Sequence, residues 1–391
     1  MVKDIKNILS LLISVGFSSI GFIAAITVTA LAAREVSDNP LFVGFPNALG
    51  VGGGVLGTQI YYFLSKKYSR YVSLSITFFV GGLGGLISLY SLIIDSFSLL
   101  LVGAFILGIG HSATLQTRYA ASFVSSDKFK ATSLALAVWF SVFGSVFGPR
   151  LVSSYSNFFY NLYGSDLIVG YVIAMFGMSI AGLAITTLTS KTSLLRQAQL
   201  KDLNISNDST RYKDGNLLSL LLVLNHFVMV VVMSATPLHV KDIGETVQLV
   251  GVIISYHTLG MFLLSPILGK LVDNYGFRNF TFIGSGILLI SCSLTFFNSS
   301  PVYLKIGLYL LGLGWNFNYV ALSDAISKFT IKYQTPLNIK SDSLVFVGSF
   351  IAHSTLGISY LVIGYSGLSL VGIIVSFYLF LNLKKLSRID I

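Results

Sequence analysis

The chain has 391 residues, of which 54% are hydrophobic and only 10% are charged. This composition excludes a soluble globular protein and is typical of a protein that crosses a membrane many times. The net charge of +10 would suit a nucleic-acid-binding protein, but most Lys and Arg residues lie in alternate loops between apolar segments, which is the pattern of membrane topology. We therefore expect a lipid bilayer around the chain and no nucleic-acid partner.

Apolar segments, each near the length of about 20 residues that spans a bilayer, follow one another along the chain. Twelve such segments cover residues 8–32, 41–64, 71–94, 98–123, 131–153, 165–189, 217–240, 246–271, 279–298, 301–326, 341–363 and 366–383. Of the 25 Lys and Arg residues, 20 lie in the N-terminus, every second loop and the C-terminal tail. This bias predicts that both termini are cytoplasmic, and we expect a multi-pass protein of the cell (plasma) membrane.

The middle of the chain holds its one long polar stretch, residues 190–216, which mixes basic and acidic residues and lacks an apolar period. It predicts a cytoplasmic linker between an N-terminal six-helix bundle, residues 1–189, and a C-terminal six-helix bundle, residues 217–391. An internal match supports this division, because LGIGH at 107–111 matches LGLGW at 311–315 with an offset of 204.

The loop after the eighth segment provides a second match. It reads GKLVDNYGFR at residues 269–278 and has a worn counterpart 208 positions earlier, at Tyr61–Arg70. There, Ser65 stands in place of Asp273. Two similar offsets predict duplicated halves, a common plan among secondary transporters. An Asp beside a helix N-terminus and a nearby cation can also latch helices together on one side of a membrane.

This loop resembles the G-x-L-a-D-r-x-G-r signature of the major facilitator superfamily. The twelve segments, the central linker and the worn first-half copy resemble the same family over the whole chain. The resemblance implies an all-α membrane protein of the major facilitator fold, with twelve transmembrane helices in two pseudo-symmetric six-helix bundles. It also implies that the loop braces a cytoplasmic gate. The matching positions are Gly269, Asp273, Gly276 and Arg278, with Arg70 in the first-half loop.

Two neighbouring segments carry soft metal ligands near their midpoints. The seventh holds His226, Met229 and Met233 at i, i+3 and i+7. The eighth holds His257 and Met261 at i and i+4, so each set lies on one helix face. The rise per residue places Met229 and His257 close to the membrane midplane. Thioether and imidazole together are ligands for copper, and Met favours Cu(I), whereas an isolated Met pair is more often packing.

The spacing MxxxM followed by HxxxM resembles the CcoA-type copper importers, a branch of the major facilitators. Other stretches that resemble this branch are MSATPLH (233–239), LLSPILGKLVD (263–273), QTRYAA (116–121), FGP (147–149) and LGLGWNF (311–317). The resemblance implies that copper is the transported substrate, with no separate cofactor. The residues that it assigns to copper are Met229, Met233, His257 and Met261. We add His226 and His239 as candidate ligands on the path by which the ion enters.

An organic substrate is the second interpretation, because the same branch includes members that resemble riboflavin importers. Trp139 in the fifth segment and Trp315 with Tyr319 in the tenth would form an aromatic wall, with Asn316 and Asn318 as amide donors. Such a wall suits a flat heterocycle such as a flavin. Aromatic helix packing explains the same residues without a substrate.

The charged residues inside the segments do not indicate proton coupling, because no carboxylate falls at mid-membrane. Arg118, Asp324 and Asp342 are predicted near the cytoplasmic ends of their segments, where capping and pairing explain them. His353 lies near mid-segment with no assigned role. A receptor or sensor with a transporter fold is a third alternative. No nucleophile–base pair or nucleotide loop is found, so we do not expect an enzyme. We expect a monomeric importer that works by alternating access.

Overall fold

The computed structural model describes residues 5–37, 44–189, 209–245, 247–297, 300–328 and 331–386, and these ranges are almost entirely helical. They contain thirteen α-helices and a short 3₁₀-helix at Asp127–Phe129. The α-helices are α1 (Ile5–Glu35), α2 (Phe45–Lys67), α3 (Arg70–Ile93), α4 (Phe97–Val124), α5 (Lys130–Trp139), α6 (Val142–Tyr163), α7 (Ile168–Leu188), α8 (Ser209–Asp242), α9 (Val247–Phe262), α10 (Ser265–Tyr275), α11 (Phe277–Phe297), α12 (Pro301–Lys328) and α13 (Ile331–Leu386). The all-α architecture predicted from the apolar segments is confirmed.

The membrane-spanning potential follows from length and composition. Within the described residues, nine helical stretches are long and apolar enough to cross a bilayer. They leave out α2, α12 and the part of α13 before Ile358. The count of twelve spanning segments therefore stays a prediction.

Four of the predicted segments are interrupted or joined. The fifth is divided into α5 and α6 at Phe140 and Ser141, and the eighth into α9 and α10 at residues 263–264. The second break has a local cause, because Pro266 lacks an N–H and its ring would clash with the carbonyl group four residues earlier. The eleventh and twelfth segments form one continuous run in α13, with a break at Gly364, whose φ of 64° and ψ of −174° are open to glycine almost alone.

The helices group into two compact units. The first, residues 1–126 and 140–206, holds α1–α4, α6 and α7; the second, residues 127–139 and 207–391, holds α5 and α8–α13. The segment of α5 thus packs with the second unit although it lies within residues 1–189. Residues 190–208 of the predicted linker lie outside the described residues, and α8 already begins at Ser209.

Close packing around the two LGxG stretches is the same in both units. In the first unit, a Cβ added at Gly108 would lie 1.8 Å from the Gly50 carbonyl oxygen, on α2. In the second unit, a Cβ added at Gly312 would lie 2.2 Å from the His257 carbonyl oxygen, on α9. Glycine is needed at both places because the backbones touch. The internal repeat read from the sequence is therefore also a repeat of helix contacts.

Candidate functional site

His257 is the predicted ligand whose surroundings are best defined. Its side chain is only 1% exposed. Nδ1 lies 2.9 Å from the carbonyl oxygen of Leu308 on α12. Because a carbonyl can only accept, Nδ1 carries the proton, and the neutral ring then has its lone pair on Nε2. Nε2 is buried and has no hydrogen-bond partner among the residues that the structure describes.

The methionines predicted as ligands lie on α8 and α9, two of the helices that contact α12. Met229 on α8 is buried, with 4% of its surface exposed, while Met233 and Met261 are half-buried. On α9, the backbone between His257 and Met261 packs against Gly312: a Cβ there would lie 2.9 Å from the Met261 nitrogen. The backbone at His257 and Met261, the two predicted ligands on α9, therefore lies against α12.

His226 carries the opposite tautomer to His257. The indole Nε1–H of Trp315 donates to Nδ1 of His226 at 3.1 Å. Since Nδ1 accepts, it holds the lone pair of the neutral ring, and Nε2 carries the proton. The lone pair of His226 is therefore already engaged in a hydrogen bond, whereas that of His257 is not.

Part of the predicted aromatic wall lies on α12. Trp315 and Tyr319 stack on one face of α12, with ring centres 4.3 Å apart, and Phe262 meets Trp315 edge-on at 6.3 Å. Trp139 lies half-buried at the end of α5. The structure thus brings together the tenth-segment aromatic residues.

The two asparagines of the predicted organic site join helices. Asn316 accepts from the Ser265 hydroxyl at 3.0 Å, which connects α12 to α10. Asn318 donates to the Asn225 side-chain oxygen at 2.9 Å, which connects α12 to α8. Both asparagines are fully buried, and residues two apart on a helix point in different directions. One amide atom of each asparagine is therefore used in a contact between helices.

Two further histidines lie along α8 and α13. His239 stacks on Tyr365, with ring centres 4.4 Å apart, next to the break at Gly364. His353 places Nδ1 2.8 Å from the Ser349 carbonyl oxygen and Nε2 3.4 Å from the Ser234 hydroxyl. Of these, only His239 was predicted as a ligand.

The loop predicted to brace a gate contains a cluster of hydrogen bonds around Asp273. The carboxylate of Asp273 accepts hydrogen bonds from the backbone nitrogens of Ala131 at 2.9 Å and Thr132 at 2.8 Å, and from the Thr132 hydroxyl. These nitrogens belong to the first turn of α5, whose N–H groups have no partner within the helix. The carboxylate thus caps α5 from another part of the chain and complements its dipole.

The other residues predicted for the gate have different local contacts or backbone conformations. A Cβ at Gly269 would lie 2.5 Å from the Ala135 side chain, so this glycine lets α10 approach α5. Gly276 ends α10 with φ 82° and ψ 157°, which other residues avoid. The Arg278 guanidinium lies 5.7 Å from the Phe277 ring centre. In the first-half loop, Arg70 lies over Phe123 at 4.4 Å.

Two of the charged groups predicted as pairing residues, Arg118 and Asp324, form contacts within their own helices. Arg118 is 2% exposed and donates to the Leu115 carbonyl at 2.7 Å and the Tyr119 hydroxyl at 3.0 Å. Asp324 is buried and pairs with Lys328 at 2.7 Å, one turn along α12. Asp342 is buried as well. Among the described residues, no group of three or more His, Cys, Asp and Glu side chains could hold a metal ion.

Two contributors to the site escaped the sequence analysis. Asn225 is fully buried and donates to the Trp315 carbonyl at 3.1 Å, and its position within an apolar segment is the signal that could have revealed it. The Leu308 carbonyl, which sets the His257 tautomer, left no signal because every residue has one.

A helical chain with membrane-length apolar segments belongs to the class of multi-pass membrane proteins. The family model of the Major Facilitator Superfamily matches residues 8–336, and the chain is a member of that superfamily. The prediction of a transporter that takes a small-molecule substrate, and not an enzyme, is confirmed at this level.

Comparisons with known proteins agree with this assignment. The chain is 32% identical over 318 residues to YdeG of Bacillus subtilis, an uncharacterized transporter of the same superfamily, covering 78% of this chain and 74% of YdeG. It is 24% identical to the riboflavin transporter RfnT of Brucella anthropi, covering 82% and 80% of the two chains. Its fold is similar to the crystal structure of the transporter FucP in the outward conformation, with a TM-score of 0.75, 16% identity and full coverage of both chains.

Proposed function

We propose that this transporter imports copper as Cu(I), bound by Met229, Met233, His257 and Met261. The observation that best supports the proposal is the state of His257. Its Nδ1–H is bonded to the Leu308 carbonyl, and the buried lone pair on Nε2 has no partner among the described residues. Metal-binding histidines commonly have this arrangement, because the second nitrogen orients the ring and fixes the tautomer.

The donor set suits a soft monovalent ion. Thioether and neutral imidazole ligands favour Cu(I) over harder cations. Neither ligand carries a charge, so burying the empty site requires no ionised group to leave water. Such a site can also release its ion without first neutralising a carboxylate. His226 stays outside the set because its lone pair accepts from Trp315.

Alternating access would then expose this site to each side of the membrane in turn. In this proposal, Asp273 holds the N-terminus of α5 against the second unit and acts as part of a cytoplasmic gate. Because α5 is joined directly to α6 of the first unit, release of the Asp273 contacts would free a segment that connects both units. We place both termini in the cytoplasm of a plasma-membrane protein, as the basic residues predict.

Matched substitutions at the two histidines test the copper proposal. His257→Asn keeps an N–H that can donate to the Leu308 carbonyl but removes the Nε2 lone pair. His226→Asn keeps an acceptor for the Trp315 indole. We expect accumulation of labelled copper in expressing cells to fall by more than about tenfold with His257→Asn and to stay within about twofold of the unsubstituted protein with His226→Asn.

Membrane levels of both variants are compared first by immunoblot, so that a loss of protein is not read as a loss of transport. Equal copper accumulation by His257→Asn and the unsubstituted chain would refute the proposed site. No accumulation by any form would refute copper as the substrate.

Riboflavin is the second candidate, and the similarity to RfnT favours it. Trp315 and Tyr319 would then stack on the ring system. The internal hydrogen bonds of Asn316 and Asn318 weaken this candidate, because these amides already hold helices together. Uptake of labelled riboflavin into vesicles containing the purified chain decides between the two substrates. Absence of flux for both would favour a receptor or sensor.

A further inference from the structure

Trp315 is held in a fixed orientation from three directions. Its Nε1–H donates to His226, and one side of its ring lies against Tyr319 with an interplanar angle of 18°. The Asn225 side chain binds its backbone carbonyl. An indole that is only 4% exposed and fastened in this way forms a rigid wall.

The internal repeat indicates what lies beside this wall. In the first unit, the Thr114 hydroxyl donates to Ser18 at 3.0 Å, and in the second unit Asn318 donates to Asn225 at 2.9 Å. Asn225 follows Ser18 by 207 positions, and Asn318 follows Thr114 by 204, the offset of the LGxG repeat. The two hydrogen bonds are therefore equivalent.

With the same offsets, Phe22 corresponds to Met229 and His111 corresponds to Trp315. Phe22 and His111 are stacked in the first unit, with ring centres 3.6 Å apart and an interplanar angle of 5°. The repeat therefore predicts a contact between Met229 and the Trp315 ring in the second unit. Helix geometry agrees, since Met229 leans back toward the preceding turn, where Asn225 and His226 both contact Trp315.

We infer that Trp315 is a cargo-contacting residue whose indole face binds the Cu(I) ion held by Met229. An indole face attracts a cation through its quadrupole, and tryptophan does so best among the aromatic residues. His226 is then a positioning residue that fixes the indole. This arrangement selects a weakly hydrated monovalent cation over a strongly hydrated one, because only the former gives up water for an aromatic face. The inference rests on the proposed copper site.

The chain has two tryptophans, so Trp139→Phe leaves Trp315 as the only one. The purified full-length Trp139→Phe protein in lipid nanodiscs is titrated with Ag(I), a stand-in for Cu(I) that does not change its oxidation state. Equilibrium dialysis measures bound Ag(I), and tryptophan fluorescence is recorded in parallel. We expect the emission to change with each bound equivalent and to saturate when the dialysis curve does.

Variants in the same background separate cation contact from packing. Trp315→Leu is expected to weaken Ag(I) binding by roughly twofold to thirtyfold, and Trp315→Phe by less, because phenylalanine keeps an aromatic face. His226→Leu is expected to reduce the fluorescence response, and His226→Asn to restore it. Thermal unfolding of each variant identifies any that fail to fold. If Trp315→Leu fails to fold, Trp315→Tyr takes its place.

The outcomes are distinguishable. If Ag(I) binds but the Trp315 emission and the affinity of Trp315→Leu stay unchanged, the inference is overturned while the Met/His site stands. If neither the unsubstituted chain nor Trp139→Phe binds Ag(I), the copper proposal fails, and the inference fails with it.

Discussion

The two loops predicted as parts of a gate occupy equivalent places in the repeat but differ in their hydrogen bonds and in how their helices end. In the second-half loop, Asp273 caps the first turn of α5 with its carboxylate. In the first-half loop, the Ser65 hydroxyl donates to the carbonyl of Tyr62, in its own helix. At the end of each helix, Gly276 has φ 82°, whereas Tyr68 has φ −116°. The Asp273 position thus contacts a distant segment of the chain, whereas the equivalent Ser65 position bonds within its own helix.

The membrane helices of the two units also share a backbone contact while the residues at equivalent positions differ. The backbone contact of Gly108 with Gly50 recurs between Gly312 and His257, at 1.8 Å and 2.2 Å from the added Cβ. A residue without a side chain in the first unit therefore corresponds to the buried imidazole of the second. Backbone packing limits change at the glycines, while side chains that point away from the contact are free to diverge. This difference explains how duplicated halves can concentrate a binding site in one of them.

The largest effect is expected when the Asp273 contact is broken. Asp273→Asn removes the charge and places an N–H₂ group beside the backbone nitrogens of α5. Both groups are donors, so no hydrogen bond can form between them. Hydrogen bonds to charged groups contribute about 1.5–3 kcal/mol, so transport of the substrate is expected to fall by about tenfold or more in vesicle uptake. The matched variant Ser65→Ala loses only a bond within its own helix and is expected to stay within twofold. Equal losses in both would contradict the contrast between the loops.

A smaller effect is expected from filling the repeated glycine contact. Gly312→Ala places a methyl group against the His257 carbonyl, and overpacking of this kind costs about 1–3 kcal/mol. We expect a lower melting temperature in detergent, measured by intrinsic fluorescence. Gly286 lies in α11 with nothing within 4 Å of an added Cβ, so Gly286→Ala serves as the control. If the control melted as low as Gly312→Ala, helix contact would not be the cause.

The smallest effect is expected at the ends of the two gate loops. Gly276→Ala forces a side chain into a conformation that costs about 1–3 kcal/mol, and we expect a modest loss of thermal stability. Tyr68→Ala meets no such backbone penalty, because extended φ and ψ values suit any residue. Chemical unfolding in mixed micelles compares the two. A greater loss with Tyr68→Ala would show that packing of the tyrosine outweighs backbone strain.

The gate residues show how far a motif can be interpreted. The pattern of Gly269, Asp273 and Gly276 predicted a tight, charged loop, and the structure gives each residue a separate reason: close approach, capping and positive φ. What the motif could not predict is the partner of Asp273. Residues 131–132 lie about 140 positions earlier, and no local pattern marks them as the end that needs a cap.

The sequence by itself determined the membrane class, the all-helical architecture and the repeat, because composition, apolar length and helix period are local properties. Only the tertiary structure decided the roles within the candidate site. His226 and His257 are the same residue type at similar depth, yet one accepts from an indole and the other donates to a carbonyl. That difference depends on which atoms a neighbouring helix presents. Residue identity along one helix does not encode it.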